Sequence, residues 1–83
     1  MSGSVSENVR LNNLLPGQSG TVVRVLGEGP IRRRLFDMGI TPGAAVFFRK
    51  VAPLGDPIEI TIRGYELSLR KAEAEAVEIR LLP

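Results

Sequence analysis

The chain has 83 residues, 43% of them apolar, and neither cysteine nor histidine. That is room for one domain, stabilised by apolar burial with no disulfide or thiolate-bound metal to staple it. The net charge of +2 is small but unevenly spread: residues 24–50 hold six basic and two acidic side chains, residues 51–83 four basic and six acidic. A positive and a negative surface region are expected from that split, a pattern that favours contact with a charged partner; the alternative is a solvated surface with chance clustering.

The first ten residues, Met1 to Arg10, are small, polar and unpatterned, so they read as a flexible tail, with the domain proper over residues 11–83. They contain no apolar core of a secretory signal, and no apolar run in the chain approaches the ~20 residues that span a bilayer. The lack of cysteine agrees with a reducing compartment. A cytoplasmic location is expected, with any membrane association borrowed from a partner.

Leu11, Leu14 and Leu15 lead to the turn pair Pro16-Gly17. The run Thr21-Val22-Val23-Arg24-Val25 is β-branched and predicts a strand with Thr21, Val23 and Val25 on one face. Gly27-Glu28-Gly29-Pro30 stops it, and Pro30 suits the first turn of a helix. Ile31, Leu35 and Met38 form an apolar stripe at helical spacing, and Gly39 followed by Ile40 is a helix-ending pair. Thr41-Pro42-Gly43 fits a type II turn. A strand over 44–51 centres on Val46-Phe47-Phe48, both phenylalanines being expected in the core, and 52–57 is a loop. Ile58, Ile60 and Ile62 alternate with polar residues, so one face of a further strand is buried. Gly64-Tyr65 predicts a hairpin turn into Glu66-Leu67-Ser68-Leu69. Residues 70–76 suggest a second short helix, and Val77, Ile79 and Leu81 a closing strand. The fold class expected is mainly β: a small barrel of about five strands, with one short helix after the first strand and a second before the last. Curling hides sheet edges that an open sheet would leave bare.

The residue inventory limits the chemistry. Ferrous iron and zinc favour imidazole and thiolate ligands, absent here, and no acidic run has the spacing of a calcium loop, so no metal site and no cofactor are expected. No Ser, Thr or Lys has an activating base at motif spacing, and Glu73 and Glu75 lie on an alanine-rich segment expected to be solvated, so no enzymatic role is expected. Gly27-Glu28-Gly29 lacks a third glycine at the fingerprint position, held by Arg32, and is read as a plain turn. Arg32-Arg33-Arg34 places cations against the helix macrodipole. Either tertiary carboxylates compensate them, or Arg32 and Arg33 face an acidic partner. Nucleic acid is disfavoured, because only four aromatics are available as stacking platforms.

The segment Ile31 to Gly43, IRRRLFDMGITPG, resembles the helix-and-turn motif of the FeoA family. Ala52-Pro53-Leu54-Gly55-Asp56-Pro57-Ile58, followed by Ile60 to Gly64, is similar to that family's second signature, and the likeness runs from about Leu11 to Leu81. The resemblance implies an SH3-like barrel and an accessory role in bacterial ferrous-iron uptake, by protein–protein binding to the transporter FeoB and its cytosolic GTP-binding domain. An alternative is a regulatory module acting in trans on a metal-dependent repressor or another protein, since FeoA-like domains also end DtxR-type repressors. The residues expected at a partner surface are Arg32, Arg33, Pro53, Leu54, Asp56 and Tyr65. Leu54 is either an anchor for a partner's pocket or a lid folded back on the barrel, and Tyr65 a second contact from the hairpin turn.

Overall fold

A computed structural model describes residues 8–82. Six antiparallel strands form one sheet in the order β1-β6-β2-β3-β4-β5: β1 Asn8–Arg10, β2 Ser19–Val25, β3 Ala45–Val51, β4 Ile58–Ile62, β5 Tyr65–Leu69 and β6 Val77–Leu81. Two helices, α1 Gly29–Asp37 and α2 Lys71–Ala74, and a 3-10 turn over Leu11–Asn13 complete it. The fold class is the expected mainly-β one with two short helices, but the sheet stays unclosed and has six strands rather than about five. The extra strand is Asn8–Arg10, assigned from the sequence to a tail. It pairs with β6 through Val9 opposite Ile79. The remainder of that tail, residues 1–7, lies outside the described residues.

The inner face of the sheet is the core. Val22, Val46, Phe48, Ile58, Ile60, Ile62, Leu69, Val77 and Ile79 point inward, joined by Leu11, Leu14, Leu35, Ile40 and Ala74. Among the described residues no polar or charged residue is buried as a whole. Strand alternation decides which neighbours enter the core. Phe48 is 2% exposed, whereas Phe47 beside it is 43% exposed on the outer face, so only one of the two phenylalanines is core as the sequence reading had it. In β2 the inward residues are Gly20, Val22 and Val25, not Thr21, Val23 and Val25. The register shifts between Val22, opposite Ile79, and Arg24, opposite Glu78. Val23 is the extra residue of that bulge, which resets the phase and returns Val25 to the interior.

Gly20 marks the tightest approach in the sheet. A Cβ there would lie 2.2 Å from Ile79 Cγ2 and 2.8 Å from the carbonyl oxygen of Arg80. The second neighbour is backbone and cannot swing aside.

The helix α1 seats itself by its C-terminal end. Ile40 N–H donates to Leu35 O (3.0 Å) and Gly39 N–H to Phe36 O (2.9 Å), with Gly39 at φ +92°. This is a Schellman motif, and its apolar pair, Leu35 and Ile40, is fully buried. The first turn of the helix stays outside: Ile31, placed on the core stripe by its spacing, is 43% exposed, while Phe36 and Met38 pack on the core edge. Thr41-Pro42-Gly43 turns as expected, with Ala44 N–H donating to Thr41 O (3.0 Å) and Gly43 at φ +93°.

The hairpin after β4 clasps that helix end. Ile62 pairs directly with Tyr65, so the two-residue turn is Arg63-Gly64, not Gly64-Tyr65, and Tyr65 belongs to β5. Arg63 and Gly64 both have positive φ (51° and 84°), the pattern of a type I′ turn, whose twist matches that of the strands. Arg63 accepts a backbone conformation that side chains disfavour, and its guanidinium is held in return: Nε donates to Gly39 O (3.0 Å) and Nη2 to Thr41 Oγ1 (2.6 Å). The Tyr65 hydroxyl donates to Met38 O. The carbonyls of the C-cap residue Met38 and of Gly39 just beyond it are thus met by the hairpin.

Two outcomes follow for chemical denaturation. Gly20→Ala should lower stability by about 1–3 kcal/mol, the usual cost of overpacking against groups that cannot move. Tyr65→Phe should cost about 1 kcal/mol, the net value of one such hydrogen bond. An unchanged midpoint in both would remove the close approach and the clasp from the list of stabilising features.

Candidate partner-binding surface

The 52–57 loop is largely exposed, and its tip carries a leucine. Gly55 N–H donates to Ala52 O (2.7 Å), closing a β-turn with Pro53 and Leu54 at its centre, and Ala52 N–H donates to Pro57 O (3.0 Å) at its base. Proline pre-sets the backbone at the second turn position. Leu54, next to it, is 96% exposed. It does not fold back as a lid.

The foot of the loop is fixed by α2. The N-cap residue of α2 is Arg70, whose side chain has no acceptor to offer the first N–H groups of the helix. Asp56 supplies the missing acceptor from across the fold: Lys71 N–H donates to Asp56 Oδ1 (3.0 Å). Glu73 supplies another, its Oε1 accepting from Arg70 N–H (2.9 Å). The same carboxylate reaches α1 through Oε2, 3.0 Å from Arg34 Nε. Glu73, expected on a solvated face, therefore has a side chain only 13% exposed and ties α1 to α2. Arg34, the α2 start and the loop form one end of the molecule, around a groove lined by Arg34, Asp56, Pro57, Ser68 and Leu69.

The uneven charge of the two halves is largely neutralised in space. Arg24 pairs with Glu78 (2.9 Å), Arg34 with Glu73, Arg49 with Glu59 and Glu66 (both 3.3 Å), and Lys50 with Glu59 (4.0 Å). Cations of the first half thus meet carboxylates of the second, and the separate positive and negative regions expected from the sequence do not form along that division. What remains from the first half is Arg32 and Arg33, which make no ion pair among the described residues. Arg32 lies over the Phe36 ring, 4.6 Å from its centroid. Arg33 and Asp37, one helical turn apart on α1, form no ion pair.

Of the six candidate residues, Pro53, Leu54 and Asp56 share the loop, and Arg32 and Arg33 stand on the helix tied to it through Arg34 and Glu73. Tyr65 lies apart, at the opposite end of α1, with its hydroxyl committed to the clasp. Asp56 is committed to the helix cap. The residues that sequence reasoning missed are Arg34, Glu73 and Arg63. A capping box is recognised by Ser or Thr at the N-cap, and Arg70 conceals it. An Arg-Gly pair is likewise a weak hairpin signal beside Asn-Gly.

The described residues contain no group of three or more His, Cys, Asp or Glu side chains placed to hold a metal ion, and no helix long and apolar enough to cross a membrane.

Comparison with known proteins supplies the family. The model of the FeoA domain matches residues 9–81. A curated relative, the Fe(2+) transport protein A/Fe(2+) transporter FeoB fusion protein of Porphyromonas gingivalis, is 36% identical over 74 residues; these are 89% of this chain and 9% of the relative, so the chain spans under a tenth of it. The solution structure of a FeoA-like protein from Clostridium acetobutylicum superposes with a TM-score of 0.88 at 35% identity, covering 95% of this chain and 92% of that one. The zinc complex of Stenotrophomonas maltophilia FeoA, a prokaryotic SH3 domain protein, gives 0.75 at 27% identity, covering 86% and 88%. The unclosed six-stranded sheet is therefore the SH3-like fold of these proteins, and the chain belongs to the FeoA domain family.

Proposed function

We propose that this chain is a docking accessory of ferrous-iron uptake, which binds the cytosolic region of a FeoB-type transporter through the end of the molecule formed by α1, the 52–57 loop and the start of α2. The observation that carries the reading is the Porphyromonas gingivalis relative, in which a domain like this one and the transporter are one polypeptide. Fusion holds two modules at a high effective concentration, which is useful when they act together. Such a partner would hold this chain at the cytoplasmic side of the inner membrane.

The geometry supports this choice of surface. A leucine exposed at a loop tip is an anchor for an apolar pocket, and this loop is already ordered by its own turn and by Asp56 on α2, so little freedom is lost on binding. Arg32 and Arg33 make no ion pair among the described residues and keep their charge for an acidic partner, which speeds encounter and sets orientation. Pro53 stiffens the turn, and Asp56 acts by holding the loop. Tyr65, at the far end of α1 with its hydroxyl on Met38 O, lies outside this surface.

Binding of the purified protein to the transporter's cytosolic region checks this. Leu54→Asp and the double change Arg32→Glu with Arg33→Glu should each weaken it by about tenfold or more, as expected of anchor residues, without lowering the melting temperature. If both variants fold and bind undiminished, the surface is wrong. If the native protein does not bind, the partner is wrong.

A further inference from the structure

β5 is a sheet edge without the usual protection. Natural edges are blunted by lysine, proline, bulges or very short strands. The opposite edge, β1, has only three residues. β5 has five, Tyr65-Glu66-Leu67-Ser68-Leu69, with no lysine or proline. Its pairing with β4 runs without a register shift from Ile62–Tyr65 to Ile58–Leu69, whereas the β2–β6 and β3–β4 pairs are both interrupted. Its one charge, Glu66, is matched by Arg49 at 3.3 Å.

The ladder fixes which groups face outward. Counted from the two-residue turn, Tyr65, Leu67 and Leu69 exchange hydrogen bonds with β4, so the N–H and C=O of Glu66 and Ser68 point away from the sheet. Both residues are exposed, and neither backbone N–H has a partner among the described residues. Alongside runs the groove whose walls are Ser68 and Leu69 of β5, Arg34 of α1, and Asp56 and Pro57 of the loop. At its α2 end the two carboxylates, Asp56 and Glu73, are already engaged, while the exposed side chains of Arg70 and Lys71 make no ion pair among the described residues. The open end of the strand is therefore cationic.

We propose that β5 accepts an extended, acidic segment of the partner as an added strand, with main-chain hydrogen bonds to Glu66 and Ser68 and carboxylates beside Arg70 and Lys71. This rests on the reading that the chain docks on a transporter's cytosolic region, and it names how. Strand addition takes affinity from the main chain and selectivity from the side chains flanking it.

Ser68→Pro tests it. The substitution removes an N–H that faces away from β4, at an edge position where proline is tolerated, so the hairpin should survive. Binding to the transporter's cytosolic region should fall by at least about tenfold, the loss of one to two main-chain hydrogen bonds. In the native complex, hydrogen exchange at the Glu66 and Ser68 amides should slow at least as much, while the Tyr65, Leu67 and Leu69 amides are already protected in the free protein. Undiminished binding by a folded Ser68→Pro variant, or unchanged exchange at both amides in the complex, overturns strand addition; docking through Leu54 would still stand if Leu54→Asp weakened the complex. If Ser68→Pro fails to fold, the exchange of the native complex decides alone. Protection of the two amides that grows with the concentration of the isolated protein would assign the edge to a second copy and also overturn the proposal. No binding by the native protein would remove both readings.

Discussion

A single sheet has one face to bury and no second layer to bury it against. This chain answers by curling six strands around their own apolar side chains and closing the gap with α1, seated on Leu35 and Ile40. The Schellman end of α1, the Arg63–Tyr65 clasp and the close approach at Gly20 all serve that packing. Among the described residues no polar or charged residue is buried as a whole, and Asn12 Oδ1 is the buried side-chain atom left without a hydrogen bond. Whatever recognition the molecule performs is therefore carried on its outside, by loops, helix faces and strand edges positioned by the core.

The outside is ordered by charge pairing. Arginines before residue 50 reach carboxylates after residue 58 across the sheet or between helices, and the Arg34–Glu73 and Asp56–Lys71 contacts also fix the geometry of one end. Surface ion pairs contribute little stability singly, commonly below about 1 kcal/mol. Their larger effect here is to decide which cations stay free. Arg34 of α1 and Arg70 at the start of α2 line a groove whose other wall is an unguarded strand edge, with Lys71 next to Arg70 and with Arg32 and Arg33 before Arg34 on α1. Leu54 projects from the adjoining loop. The ordered loop, the free cations and the bare edge occur together at one end, which is the arrangement a docking module needs.

The parts of the fold legible in the sequence are those written by neighbours in the chain. Gly39-Ile40 ends a helix, Thr41-Pro42-Gly43 turns, and Ile58, Ile60 and Ile62 bury one face, each because of residues within a few positions. The family motifs around Ile31–Gly43 and Ala52–Gly64 belong to the same class of signal, and the match over residues 9–81 agrees with them. The features that were misread are set by distant partners. Asn8–Arg10 becomes a strand only because β6 offers an edge, with Val9 opposite Ile79. Val23 turns outward because of a bulge opposite β6, which the run of β-branched residues does not encode. Tyr65 leaves the turn because Arg63 takes the positive φ, a choice sustained by contacts with Gly39 and Thr41. In the candidate site, exposed Leu54 and the arginine run could be picked out by type. The contacts that place them on one end, through Glu73 and Asp56, could not.

The central claim is that one end of the molecule meets the transporter. Amide chemical-shift mapping reads this directly, with isotope-labelled protein titrated with the unlabelled cytosolic region of the transporter. Docking as described places the largest shifts at residues 32–34, 54–56 and 66–71, with small changes on the outer face of the sheet. A footprint centred instead on Phe47, Lys50 and Arg80, with Leu54 and Ser68 unmoved, would contradict it.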